Sequence, residues 1–136
     1  MPGTMDGYSG TPLPKKLGIR AGSVVALLGA SARFEQTLDA LPDNVRLQKH
    51  ARGRADVIIL FAKSRTDLDR RLSAAIRALA KGGRLWIAWP KKASGVPCDV
   101  TETVVRELGL GAGLVDYKIS AMDETWSGLC FTRRRT

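Results

Sequence analysis

Apolar runs of strand length alternate along the chain with segments whose apolar residues recur every three or four positions. The runs lie at 23–30, 45–50, 57–62, 85–89, 114–120 and 126–133. The run at 57–62 is the most strand-like, whereas 45–50 alternates apolar and polar residues, as a half-exposed strand does. Strands that alternate with helical segments predict an α/β protein with right-handed parallel crossovers.

Helix start and stop residues separate these runs. Ser31 and Ser64 stand at positions typical of helix N-caps, and Ser64 with Asp67 resembles a capping box. The second of these helices carries an apolar stripe and is predicted to run to Gly82-Gly83. A short helix closed by Gly18 is predicted within 11–19, and Asp99 with Glu102 is predicted to open the last helix.

The order of these elements predicts a three-layer, Rossmann-like fold. It contains a mostly parallel sheet of about six strands that ends in an antiparallel hairpin around the turn 121–125. The hairpin looks like the ending of the class I methyltransferase fold, although the third strand and helix of that fold are missing. Residues 1–10, rich in glycine and polar residues, are predicted to be a flexible arm, and 11–136 one domain.

The run at 85–89 is predicted to be a central strand, because it is apolar throughout and contains two tryptophans. Pro90 ends it, since proline cannot donate the next ladder hydrogen bond. In such sheets ligands bind at the carboxyl ends of the parallel strands. The residues expected there, and predicted to bind ligand, are Gly29, Ser31, Trp89, Pro90, Lys91, Lys92, Asp123, Trp126 and Ser127.

Several of these residues have two interpretations. Trp89 and Trp126 are suited to stacking on a planar ligand, but they equally suit the wall of a core. Asp123 and its neighbour Glu124 either pair with Lys91 or Lys92 across the rim, which is structural, or face a substrate. The two lysines form a cationic lip suited to a phosphate or carboxylate.

No cofactor or metal is firmly predicted, and no catalytic residue is assigned. A nucleotide or S-adenosylmethionine site would need a glycine-rich turn after the first strand and an acidic residue after the second. The first turn has one glycine, Gly29, and the second strand ends in Lys49-His50. The G-x-G-x-G run at 109–113 follows a helix and is interpreted as a helix stop. The single histidine, His50, excludes a histidine-rich metal site.

Composition adds a strong positive charge. The 136 residues include 22 Lys and Arg against 13 Asp and Glu, a net charge of +9. Such a field attracts phosphates, and nucleic acid is the commonest polyanion, but the basic residues are scattered along the chain. No apolar run approaches the roughly 18 residues of a membrane span, and residues 1–10 do not resemble a secretory signal. A cytoplasmic protein is therefore expected, with Cys98 and Cys130 as reduced thiols.

Three stretches carry a family resemblance: GYSGTPLPKKLGI (7–19), LWIAWPKKASGV (85–96) and KISAMDETWSGLCFTRR (118–134). They resemble a bacterial family known as domain of unknown function 3052, which implies no activity. Three hypotheses follow: a non-catalytic domain that binds an anionic small molecule or partner, a divergent S-adenosylmethionine-dependent methyltransferase, and a basic nucleic-acid-binding accessory protein. The oligomeric state stays open.

Overall fold

The computed structural model describes residues 12–38 and 40–133, whose strands form one six-stranded sheet. The strands are β1 (Val24–Leu28), β2 (Arg46–Gln48), β3 (Ala55–Phe61), β4 (Leu79–Pro90), β5 (Leu114–Ala121) and β6 (Trp126–Arg133). Their spatial order is β2-β1-β3-β4-β6-β5; the first four are parallel, and β6 is antiparallel to both β4 and β5. The predicted fold class and terminal hairpin are confirmed. The predicted arm, 1–10, lies outside the described residues.

The described residues form four α-helices, of which the first precedes β1 and the other three connect strands: α1 (Leu13–Leu17), α2 (Ala32–Thr37), α3 (Arg65–Ala78) and α4 (Glu102–Gly111). The two predicted serine caps are confirmed, because Ser31 Oγ accepts from the Phe34 amide and Ser64 Oγ from the Asp67 amide. The cap of α4 is Thr101 and not Asp99. Asp99 instead accepts a hydrogen bond at 2.8 Å from the amide of Arg65, the first residue of α3.

The predicted extension of α3 to Gly82-Gly83 is wrong. The helix ends at Ala78, and Leu79 begins β4 by pairing with Ala55. Leu79 is buried as the first residue of β4, so the apolar pattern of the helix continues in the sequence after the helix has ended. The guanidinium of Arg133 donates to the carbonyls of Ile76 and Leu79, both at 2.6 Å. It thus supplies hydrogen bonds to carbonyls at the C-terminal end of α3.

Two cores lie on opposite faces of the sheet. On one face α3 and α4 pack their apolar residues, among them Leu68 and Val105, over β3 and β4. On the other, Leu17 of α1 and Phe34 of α2 pack over β1, β3 and Trp86 of β4. Trp86 is 0% exposed, and its indole Nε1 donates to the Leu17 carbonyl at 3.1 Å. Within 12–38 and 40–133, no helix is both long and apolar enough to cross a bilayer.

The two cysteines are free thiols with different surroundings. Cys98 is half-buried, whereas Cys130 is buried in the Trp86 core, where desolvation raises the pKa of its thiol to about 12. Because only the thiolate reacts, we expect iodoacetamide at about pH 8 to alkylate Cys98 and spare Cys130 in the folded protein. Intact mass spectrometry should show one adduct before denaturation and two after it. Equal labelling of both thiols in the folded protein would contradict this expectation.

Candidate functional site

Four segments meet at the carboxyl ends of the parallel strands, an edge we call the carboxyl rim. They are 29–31 after β1, 62–64 after β3, 90–92 after β4 and the turn 122–125 between β5 and β6. The Lys91 amide donates to the Thr125 carbonyl at 2.7 Å, and Pro90 pairs with Trp126. The structure therefore brings together the segments that the sequence predicted to converge.

The turn after β1 is built on Gly29, whose φ of +81° favours glycine. A Cβ at this position would lie 3.3 Å from both the Phe61 carbonyl oxygen and Arg71 Nη1. The Arg71 guanidinium, held by an ion pair to Asp67 at 3.1 Å, thus lies beside the turn. Ser31 is exposed at the end of this turn, where its hydroxyl caps α2.

The turn between β5 and β6 is held by Asp123. Its Oδ1 accepts from the amides of Thr125 at 2.8 Å and Trp126 at 2.7 Å, as in an Asx turn. In the part of the chain that the structure describes, no ion pair joins Asp123 or Glu124 to a lysine of the rim. Asp123 therefore stabilises the turn through backbone amides, and the predicted pairing with a lysine does not occur among the described residues.

Three aromatic rings stack edge to face beneath the rim. The Trp126 ring lies 5.1 Å from Phe61, which lies 4.7 Å from Phe34. Trp126 is half-buried and packs on the α1 and α2 side of the sheet, whereas Trp89 is 7% exposed in the opposite core. The two tryptophans thus lie on opposite faces and do not flank a common space. Ser127, half-buried, pairs across the sheet with Trp89.

A cavity of about 280 Å³, which we call the Trp126 cavity, opens at the rim between α2 and the hairpin turn. Its lining residues are Ser31, Arg33, Thr37, Asp123, Glu124, Thr125 and Trp126. Arg33 and Glu124 are exposed, and among the described residues neither side chain forms an ion pair or hydrogen bond. Neither lysine of the predicted lip lines this cavity.

Sequence reasoning missed Arg33 as a candidate. The available signal was its position in the first turn of a helix capped by Ser31, directly after a strand predicted to end at the rim. Lys92 is exposed at the start of a single 3-10 turn, Lys92–Ser94, and Lys91 is half-buried just before it.

The described residues do not fit the adenosyl part of S-adenosylmethionine. The loop after β2 carries Lys49, which forms an ion pair with Glu35 at 3.0 Å, where a carboxylate would be needed to hold ribose hydroxyls. The single glycine of the first turn is closely faced by Arg71. His50 accepts from the Arg52 amide, and no group of metal-binding side chains occurs within 12–38 and 40–133. We therefore derive no chemical step through such a cofactor.

The glycines of the G-x-G-x-G run have separate roles. Gly109 and Gly111 lie within α4, and only Gly113, with a φ of +90°, is part of the stop that follows the helix. Gly109 packs against the Phe131 ring of β6. The interpretation as a helix stop therefore holds for Gly113 alone, and none of the three lies at the carboxyl rim.

Comparison with known proteins gives one family match and several fold matches. The family described as Protein of unknown function (DUF3052) matches residues 14–135. A search of curated proteins finds no match. N-methyltransferase NodS from Bradyrhizobium japonicum WM9 is 15% identical, with 94% of this chain and 100% of that chain covered and a TM-score of 0.58.

Two further matching structures were solved with a ligand. Magnesium protoporphyrin IX methyltransferase (ChlM) from Synechocystis PCC 6803, with bound SAM, is 11% identical over 90% of this chain and 74% of that chain, with a TM-score of 0.59. The DhpI–SAH complex is 12% identical over 91% and 83%, with a TM-score of 0.63. At these identities the likeness shows the fold alone.

Proposed function

This chain belongs to the family described as Protein of unknown function (DUF3052), and from that premise we propose that it is a Rossmann-like binding domain for a small polar molecule. The ligand is held in the Trp126 cavity and is not chemically converted. The proposal rests on one observation: a cavity at the carboxyl rim, where such sheets bind ligands, is lined by two charged side chains, Arg33 and Glu124, that form no ion pair within residues 12–38 and 40–133.

The lining indicates the chemistry of the ligand. The Arg33 guanidinium is suited to a carboxylate or phosphate, which it can bind through two parallel hydrogen bonds. Glu124 is suited to an ammonium or hydroxyl group of the same molecule. Trp126 supplies an aromatic wall that Phe61 supports from behind. A compact ligand with an anionic group and a hydrogen-bond donor, such as an amino acid, matches this set.

The cavity is held in shape by hydrogen bonds that do not depend on ligand. Asp123 fixes the hairpin turn, and the Lys91 amide ties that turn to the end of β4. Binding therefore needs little ordering of the backbone, which lowers its entropic cost. Lys91 and Lys92, just beyond the cavity, add a positive field that favours the approach of an anion.

A divergent S-adenosylmethionine-dependent methyltransferase is the second candidate. The observation that favours it is the fold likeness to proteins solved with bound SAM or SAH, together with a left-handed Gly29 after the first strand. The ion-paired Lys49 and the single glycine count against it. It predicts binding of S-adenosylmethionine near Gly29 and transfer of its methyl group to an acceptor.

Fluorine NMR of protein labelled with 5-fluorotryptophan tests the proposal. The chain has three tryptophans, and only Trp126 lines the cavity. We screen amino acids, dicarboxylates, phosphate esters, nucleotides, S-adenosylmethionine and S-adenosylhomocysteine. A true ligand should shift the Trp126 signal, assigned with Trp126→Phe, and leave the signal of fully buried Trp86 unchanged. Arg33→Ala should weaken its binding about tenfold, the value of one charge-assisted hydrogen bond.

Arg77→Ala is the matched control, because it removes the same charge from an exposed position on α3. It should leave the affinity unchanged. A ligand whose binding survives Lys91→Ala combined with Trp126→Ala binds elsewhere, and the proposal would then be wrong. Methylated product formed from S-adenosylmethionine would favour the second candidate. Affinity for oligonucleotides that falls steeply with salt would favour the nucleic-acid hypothesis.

A further inference from the structure

A second cavity, of about 360 Å³, lies at the opposite edge of the sheet, near the amino ends of β1, β3 and β4. We call it the amino-end cavity. The lining residues include three cations, one carboxylate and two glycines: Arg20, Lys81, Arg84, Asp56, Gly82 and Gly83. The volume falls within the range of about 300–1,000 Å³ that is usual for small-molecule sites. None of these residues lines the Trp126 cavity.

The backbone around this cavity is tightly held. The Arg20 amide donates to Ser23 Oγ and the Ser23 amide to the Arg20 carbonyl, which closes a turn. The Gly22 amide binds the Asp43 carbonyl at 2.9 Å. On the other wall, a Cβ at Gly83 would lie 2.8 Å from the Asp56 carbonyl oxygen, so this close approach of two strands requires glycine.

Three cations and one carboxylate face the cavity. Arg20, Lys81 and Arg84 form no ion pair in the described part of the chain. Asp56 uses Oδ2 to accept from the Val24 amide at 2.8 Å, and so helps to hold the start of β1. The Arg84 guanidinium lies 5.1 Å from the centre of the Tyr117 ring, which orients it. The cavity thus has two positive charges in excess.

Such a set of groups matches an oxyanion better than any other ligand. Two guanidinium groups and an ammonium line the cavity and supply hydrogen-bond donors, and a guanidinium binds phosphate through paired hydrogen bonds. The volume exceeds that of one phosphate, so the ligand carries an organic part as well. Oδ1 of Asp56, which accepts no hydrogen bond from the described residues, is an acceptor for a hydroxyl group of that part.

We propose that the amino-end cavity is a binding site for a small phosphate monoester that carries hydroxyl groups, separate from the Trp126 cavity. Arg20, Lys81 and Arg84 bind the phosphate, and Asp56 accepts from a hydroxyl. The site does not depend on the function proposed for the carboxyl rim, because the two cavities share no residue.

A titration with glycerol 3-phosphate tests this site. The ionic strength is held constant, and binding is measured by calorimetry and by amide NMR. We expect saturable binding that shifts the amide signals of Gly22, Gly82 and Gly83. Arg20→Gln and Lys81→Gln should each weaken binding about tenfold, whereas Arg77→Gln, the same loss of one exposed charge on α3, should change it less than about twofold. Trp126→Phe should leave it unchanged. Circular dichroism confirms that each variant is folded.

Three results would overturn the proposal. The first is the absence of saturable binding up to about 10 mM ligand, because a dissociation constant above this concentration is too weak for a specific site. The second is an equal loss in all three charge variants, which would indicate general electrostatic attraction. The third is an oligonucleotide that binds far more tightly than the ester through the same residues, which would make a nucleic acid the occupant. Failure of ligands at the Trp126 cavity bears on none of these results.

Discussion

Replacing Trp86 by alanine is expected to lower the free energy of unfolding by about 3–5 kcal/mol. The side chain is 0% exposed and is among the largest buried in the structure. Its removal leaves a cavity between β4 and α1, and it also leaves the Leu17 carbonyl without the indole donor. Urea denaturation followed by far-ultraviolet circular dichroism measures the loss.

Trp86→Phe separates the two contributions and guards against an alanine variant that does not fold. It keeps most of the apolar volume but removes the bond from Nε1 to the Leu17 carbonyl. We expect it to cost about 1–3 kcal/mol, the penalty for an unsatisfied buried polar group. A loss below about 1 kcal/mol for the alanine variant would show that α1 does not depend on this contact.

Gly109→Ala in α4 is expected to destabilise the protein by about 1–3 kcal/mol, although alanine is the better helix former. The added methyl would lie well inside van der Waals contact of Cε1 and Cζ of Phe131. Phe131 is 0% exposed at the centre of the core under α3 and α4, so its ring cannot move aside without displacing other buried residues. Chemical denaturation measures the difference from the parent chain.

Gly111→Ala is the matched control in the same helix. A Cβ at Gly111 would meet nothing within 4 Å, so only the gain in helix propensity operates. We expect an increase in stability of up to about 1 kcal/mol. The two substitutions should therefore have opposite signs. If both stabilise the protein, α4 does not pack as closely on β6 as the structure indicates.

Strands and helix ends that are determined by residues close together in the sequence were predictable. β1 and β3 are buried on both faces and read as continuous apolar runs, and the serines that cap α2 and α3 bind amides three residues away. Leu79 was misplaced because a buried leucine fits a helical stripe and a strand equally well. Asp99 was misassigned because its partner, the Arg65 amide, is 34 positions away in the sequence.

The candidate site was only partly predictable, for a related reason. Convergence of the Gly29, Pro90 and Trp126 segments follows from parallel topology. The face on which a strand residue lies, however, depends on register, and a shift of one residue moves it to the other face. The pairing of Pro90 with Trp126 and of Trp89 with Ser127 puts the two tryptophans on opposite faces. The amino-end cavity brings Arg20, in the connection before β1, together with Lys81 and Arg84 of β4, and no local sequence pattern reveals this approach.

The position of β6 has a consequence for biosynthesis. It lies between β4 and β5, yet it is the last of the six strands to leave the ribosome. β1, β3 and β4 can pair early, but β4 keeps an open, apolar edge until residues 126–133 emerge, a few seconds later at about 5–20 residues per second. The nascent chain therefore needs protection from aggregation during this interval. Because Trp126 begins β6, the Trp126 cavity cannot form before this strand is translated, and a ligand can bind there only after residues 126–133 have emerged.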